Sequence, residues 1–487
     1  MAVIGKQEAE NNKMSIMTDP KHNHTHTHED ISAVRRWFSL MTYEGAFATV
    51  FIVFSGSVFL TGLALMWGAN DIEIGLLAAI PFLAQAAQLL SAYFINKPDR
   101  RKFVVFWGVA IGRQLWWILI PLLFLNGEWR LYALIGLVIF SNIGVMISTP
   151  AWLSWMADLV PERIRGRYFG VRSAAVSAAT ILATICGGII LDKFRNMDRE
   201  PIGFAVIIAF AAISALIGIL LMKKLPDTSI GLFKLHMNLS LILEPLKDKN
   251  YRLLLKVFFL WNMAIGLGAA FFIPHMLNNL HMNFTQISIY LSLAALTAIL
   301  LNKPWGSIID KFGCKPVITF CSFGIVLVPL LWWFPRPDLL WVFIIEAIYS
   351  GALWTGFNLA IFNIPIVNSP KDKRIVYLAM FSVVTGLGFF ITSLLSGVLA
   401  ENLSHINWHI GKQTIVNYHI LFTISSMLRL IAAFIALRLK EPHEKRIPIL
   451  LQFMGYSVLK ILAAGRQLFP WALSKHEREQ ASSQQND

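Results

Sequence analysis

The chain has 487 residues, of which 56% are hydrophobic and only 14% charged, and its net charge is +14. A soluble domain carries about a quarter charged residues and has nowhere to hide this much apolar surface, so the composition excludes an ordinary soluble enzyme and makes lipid the expected solvent. No soluble basic domain is visible, so the excess of Lys and Arg reads as membrane-flanking loops and not as a nucleic-acid surface.

In chain order, residues 1–40 are polar and lack the apolar stretch of a signal peptide, which predicts a cytoplasmic tail. Within it, His22, His24, His26 and His28 alternate, a spacing that suits zinc, copper or nickel; the competing reading is a disordered polar tail with no metal role. Runs of about 20 apolar residues then predict helical spans at 43–67, 72–95, 103–125, 130–156, 168–191 and 201–222, a bundle over 41–222. A polar linker at 223–250 carries Lys223, Lys224, Lys234, Lys247 and Lys249. Six more spans follow at 251–278, 284–309, 315–334, 339–366, 375–400 and 413–438, a second bundle over 251–438. In the tail at 439–487, Lys460 and Arg466 interrupt an apolar stretch at 447–473, which predicts an interfacial amphipathic helix on the cytoplasmic face. Cys186, Cys314 and Cys321 have neither metal-ligand spacing nor the look of a disulfide framework.

The loops after even-numbered spans hold 17 Lys and Arg, against 6 in the loops after odd-numbered ones. By the positive-inside rule both termini are cytoplasmic. The loop at 192–200 dissents, with Lys193, Arg195 and Arg199 offset by Asp192, Asp198 and Glu200.

The two sets of six spans repeat each other. A shift of 209 positions lays Pro161 on Pro370, Arg165 on Arg374, Tyr168 on Tyr377, Gly188 on Gly397 and Asp192 on Glu401. Near the second span of each half the offset is 213, which lays Lys102 on Lys315. Duplicated halves predict a pseudo-twofold axis along the membrane normal, a site between the halves and access that alternates as they rock.

At GSIIDKFGCK the sequence resembles the signature loop of the major facilitator superfamily, with Gly306, Asp310, Lys311, Gly313 and Lys315 in the pattern. DLVPERIRGRYFG, which holds Asp158, Arg165 and Arg167, is similar to the loop after the fourth helix of bacterial members. EPLKDKNYRLLL resembles the entry into the seventh. The resemblance implies an all-α membrane fold of twelve helices in two six-helix bundles. It also implies a cytoplasmic gate in which Asp310 pairs with Arg374. The first half departs from the pattern: Lys97 stands where Asp310 stands in the second.

A charge inside the bilayer costs about 2.5–3.5 kcal/mol, so each one needs a reason. Glu346, in the tenth span, is the first proton-coupling candidate, with a neutral packing acid as its bland alternative. Glu44 is the second, and Arg35 and Arg36 are its expected partners. Arg113, deep in the third span, is expected to pair with an acid or with substrate. Lys303 and Arg429 are expected to snorkel to the interface. The resemblance places the cavity among the first, fourth, seventh and tenth helices. Its candidate lining is Asn142, Thr149 and Trp152, then Trp261 and Asn262, then Trp354, Asn358 and Asn363, with Gln85 and Gln88 from the second span. Rings mixed with amides suit a sugar or another polar organic molecule.

No nucleotide loop, metal motif or nucleophile constellation occurs, so no cofactor and no enzyme activity are expected. The expectation is a monomeric inner-membrane secondary transporter of a small organic solute, coupled to protons, with lipid and solute as its partners. The alternatives are a metal or metal-chelate carrier and a transporter-like receptor or lipid-handling protein without flux.

Overall fold

In hydrocarbon a chain must satisfy its own backbone N–H and C=O groups, and an isolated apolar run does so only as a helix. The computed structural model describes residues 28–88, 101–160, 162–226, 239–370, 373–411 and 413–441. Its first bundle comprises α1 (His28–Phe54, resuming after a break at Gly56 as Ser57–Met66), α2 (Asp71–Ala84, running on through Gln85–Ala87), α3 (Arg101–Gln114, with Leu115–Ile118 and Leu119–Leu122), α4 (Trp129–Leu159), α5 (Glu162–Arg195) and α6 (Glu200–Lys223). The second comprises α7 (Lys249–Ala269, continued by Phe272–Pro274 and His275–Asn279), α8 (Phe284–Phe312), α9 (Cys314–Leu331), α10 (Val342–Val367), α11 (Arg374–Asn402) and α12 (Asn417–Ala436). Among the described residues eleven helices are long and apolar enough to span a bilayer, and α2, described as far as Gln88, is the twelfth.

Three details differ from expectation. Helix α1 begins at His28, ahead of the tail boundary at 40, and the linker holds a short helix, Leu239–Lys247. The last span starts four residues late, because Gln413–Val416 (β2) pairs antiparallel with Asn407–Ile410 (β1). Gly411, at φ +62°, supplies the left-handed residue that such a tight hairpin needs. The 447–473 segment and His22, His24 and His26 lie outside the described residues.

Helix pairing repeats with the sequence. In the first half α1 packs on α5 and α6, α4 on α2 and α3, and α3 on α6; in the second α7 packs on α11 and α12, α10 on α8 and α9, and α9 on α12. The halves meet through α2 against α11 and α5 against α8, two contacts that the pseudo-twofold axis exchanges.

One end of the molecule carries the hairpin and the other carries the linker. Toward the hairpin face a single apolar core crosses the boundary, joining Phe59, Ile74 and Phe204 to Phe271, Phe284 and Phe422. Toward the linker face it divides. One cluster, around Met41, Val105 and Trp155, belongs to the first half, and another, around Tyr251, Val317 and Phe357, to the second. The hydrogen bonds that join described residues of the two halves all lie toward the hairpin face. The halves are therefore packed together at one end and separate at the other.

Candidate functional site

The hairpin face is closed by two copies of one device. Asn70 and Asn283 cap α2 and α8, each in a reciprocal capping box with Glu73 or Gln286 three residues on. That arrangement leaves backbone N–H groups of the first turn unpaired, and a carboxylate from the other half takes them. Asp192, at the end of α5, accepts from Phe284 N at 2.9 Å and Thr285 N at 2.7 Å. Glu401, at the end of α11, accepts from Asp71 N at 3.1 Å. An anion at a helix N-terminus gains about 0.3–1 kcal/mol when exposed and about 2 when partly buried. Asp192 and Glu401 are a 209-offset pair, while Asn70 and Asn283, Glu73 and Gln286, and Asp71 and Phe284 are all 213-offset pairs.

Glycine makes the approach close enough. A Cβ on Gly188 would stand 2.7 Å from the Phe284 carbonyl oxygen, and one on Gly397 would stand 2.9 Å from both the Asp71 carbonyl oxygen and the Ile72 Cα. The α2–α11 copy is the more elaborate. Asp71 also accepts from the Tyr418 hydroxyl at 2.6 Å and from the Asn417 amide at 3.1 Å, and Ser393 donates to the Gly75 carbonyl at 2.9 Å. The sequence exposed the repeat of the acids and glycines, but not that they meet the second copy of a capping box. The Asn-x-x-Glu and Asn-x-x-Gln spacings were the available signal.

The dissenting charges of the 192–200 loop find a use here. Asp192 is the capping acid, and the Arg195 guanidinium lies 5.9 Å from the Phe284 ring centre. Their role at this face is contact with α8, whatever they do for topology.

At the linker face the expected latch of the signature loop is not formed among the described residues. Gly306 has nothing within 4 Å of where a Cβ would be. Asp310 is exposed and makes no ion pair with Arg374 among the described residues, and the Arg374 Nε is buried without a hydrogen-bond partner. Gly313 (φ +94°) ends α8, and Lys311 lies 5.4 Å from the Phe312 ring centre. The first N–H groups of α9, those of Cys314 and Lys315, donate instead to Glu441 at 3.0 and 2.8 Å. In the first half the same seam is tied with opposite polarity: Lys102, the repeat of Lys315, donates to the Leu225 carbonyl at 2.6 Å. Asp158 lies in the last turn of α4, and Arg165 and Arg167 in the first turns of α5.

Two groups of buried charge lie between these faces. In the first half Glu44 on α1 is 3% exposed. Its partner is Arg172 on α5, Nη2 to Oε2 3.5 Å, a residue that the sequence reading passed over. The expected partner Arg36 is exposed. The Arg172 guanidinium sits 4.9 Å from the Trp152 ring centre, and Arg113, 7% exposed, sits 5.7 Å from that of Phe51 with its charge felt by Glu44.

In the second half Glu346 is 3% exposed and faces the Tyr290 and Ser350 hydroxyls and the Trp332 indole, with no cation beside it. Ser350, Trp354, Asn358 and Asn302 line a cavity of about 380 Å³ between α8 and α10. Trp261 is buried against Phe357, with ring centres 4.5 Å apart, and packs the wall behind. The amide N–H₂ groups of Asn142, Asn262 and Asn363 and the Thr149 hydroxyl each bond a carbonyl one turn back in their own helix, which leaves each amide its second N–H and its oxygen to offer and leaves Thr149 only as an acceptor. Gln85 lies against Gly386 of α11, and Gln88 donates to the Met146 sulfur at 3.5 Å.

The description Major Facilitator Superfamily matches residues 45–363 and again residues 257–474, two starts whose spacing falls within the 209–213 offsets of the repeat. The chain belongs to the Major Facilitator Superfamily. Family and fold are those of transporters, so this is an integral membrane protein of solute transport. An uncharacterized MFS-type transporter of Methanocaldococcus jannaschii is 21% identical over 354 residues, 70% of this chain and 86% of its own. The minor myo-inositol transporter IolF of Bacillus subtilis is 24% identical over 313 residues, 58% of this chain and 66% of its own. The crystal structure of a D-xylose-proton symporter superposes with a TM-score of 0.62 at 14% identity, covering 83% of this chain and 98% of that one.

A further expectation for this superfamily member fails. Arg429 does not snorkel: it is 1% exposed, 5.9 Å from the Trp354 ring centre, and makes one long bond of 3.4 Å to the Ile325 carbonyl. Sequence depth gives the distance to the interface but not the side of the helix, and Arg429 is on the inner side. A buried charge so poorly paired costs more in lost hydration than it regains. Arg429→Met is therefore expected to keep or raise the melting temperature of the purified protein; a fall of many degrees would show that the guanidinium holds the half together.

Proposed function

We propose that this superfamily member is a monomeric secondary active transporter of the cell (inner) membrane that moves a small organic solute by alternating access and draws its driving force from protons. The positive loops favour a cytoplasmic linker face, which puts both termini inside and the hairpin outside. Closure at the hairpin face with separate cores at the linker face is then an inward-facing arrangement. Two of these similar proteins are named for small polyhydroxylated solutes, myo-inositol and D-xylose, and the second also for the proton.

The observation that carries proton coupling is the buried Glu44–Arg172 pair at 3.5 Å. A coupling carboxyl needs a partner whose freedom changes when the proton arrives. Glu44 has one in Arg172. Glu346 faces only neutral groups, and we assign it the lesser role.

The test is reconstitution into vesicles with an imposed pH gradient, offered a labelled metabolite mixture. A solute should accumulate and should leak back when a protonophore is added. Equilibration that ignores the gradient would speak for a uniporter instead.

A further inference from the structure

The charges around Glu44 do not balance. Two guanidiniums, those of Arg113 and Arg172, face this one carboxylate, and Glu44 is the charge that acts on Arg113. Hydrogen bonding is equally one-sided. Arg113 Nε and Nη1 and Arg172 Nε are all buried without a hydrogen-bond partner, whereas the Tyr168 hydroxyl faces that of Thr42. Tyr168 is one turn before Arg172 on α5 and feels the charges of both Arg172 and Glu44. Three guanidinium N–H groups of the two arginines thus go unbonded, while the one carboxylate their charges act on is held by Arg172 at 3.5 Å.

An unpaired donor in a low-dielectric interior costs about 1–3 kcal/mol, and more when charged. An uncompensated guanidinium in a span is costlier still. Such an arrangement is stable in use when a second anion completes it. Arg172 is the more accessible member of the pair: its side chain is 18% exposed, against 3% for Glu44. The ring of Trp152, 4.9 Å from its guanidinium, offers an apolar wall at the same place.

We propose that the transported solute is a small organic anion, with its carboxylate bound by Arg172 and its carbon frame lying against Trp152. Substrate and Glu44 then compete for one guanidinium. Ionised Glu44 holds Arg172; protonated Glu44 releases it to the substrate. Proton and anion bind together and cross together, and the cluster carries the same total charge before and after. The coupling step rests on the proton-driven reading above, whereas the anion preference does not.

Equilibrium binding separates the two. The purified full chain in detergent is titrated, at mildly acidic pH, with benzoate and gluconate and with their neutral counterparts benzamide and glucose, read by tryptophan fluorescence. An anion should give a saturable change at millimolar concentration or below that its neutral counterpart does not, and Arg172→Gln should abolish it. Glu44→Gln removes the competitor and should tighten the anion about tenfold, a gain that misfolding cannot imitate. Neutral probes binding as well as anions, no saturable anion response, or an affinity indifferent to Glu44→Gln would each overturn the proposal. No gradient is present, so failure here leaves proton-driven uptake standing, and failed uptake leaves this result standing.

Discussion

Gly397→Val is expected to cripple transport by holding the hairpin face open, with uptake falling about 10- to 100-fold. Even a bare Cβ there would stand 2.9 Å from the Asp71 carbonyl oxygen and the Ile72 Cα, both backbone atoms of a capped helix end that cannot swing aside. Two further methyls leave only separation of α2 from α11, and overpacking of this kind costs about 1–3 kcal/mol or more. Such a bias shifts a balanced two-state equilibrium by about 10- to 100-fold toward the open-outward state. The gentler version removes charge and keeps shape. Asp192→Asn with Glu401→Gln weakens both helix caps, each by about 1 kcal/mol, and should raise the labelling rate of a cysteine placed beneath the hairpin face. Neutral side chains still accept hydrogen bonds, so the protein should fold and keep part of its activity. Unchanged transport by Gly397→Val would mean that α2 and α11 need not meet in the cycle.

The second large effect is at Glu44. Glu44→Gln should abolish accumulation driven by a pH gradient while leaving exchange of labelled for unlabelled solute at equal concentration, because exchange needs binding and rocking but no net proton movement. The direction with pH follows. If protonated Glu44 frees Arg172, wild-type uptake rises as the outside is acidified, and the variant, fixed in the uncharged form, should lose that dependence. Glu346→Gln, which replaces a carboxyl among hydroxyls and an indole, should keep gradient-driven uptake. The opposite pattern, with Glu346→Gln uncoupled and Glu44→Gln coupled, would move the coupling site to α10.

Much of this architecture was legible in the chain because lipid imposes few solutions. Spans followed from apolar runs, and the two halves from Pro161 and Pro370, Arg165 and Arg374. What stayed hidden depends on which side of a helix a residue occupies. Arg172, one turn past Tyr168, drew no expectation from its place beside the charged loop, while the fold turns it inward onto Trp152 and Glu44. Arg429 read as able to reach the interface for the same reason. The hairpin was missed because Gln413–Val416 counted into the last apolar run and 407–412 into a loop, whereas the two pair as strands around Gly411. The closing of the hairpin face was half visible. Repeated acids and glycines marked the places, but contact across 92 residues for Asp192 and 330 for Glu401 is a tertiary fact that local pattern does not contain.

Alternating access in this protein requires that Asp192 and Glu401 hold the hairpin face shut and let go during the cycle. The direct measurement is the distance between spin labels at Met197→Cys and His281→Cys, both exposed at that face on opposite halves, with Cys186, Cys314 and Cys321 first replaced by serine, in lipid. The wild-type background should give one short distance, and Asp192→Asn with Glu401→Gln should add a second, longer population. A distribution that the double variant leaves unchanged would contradict the account.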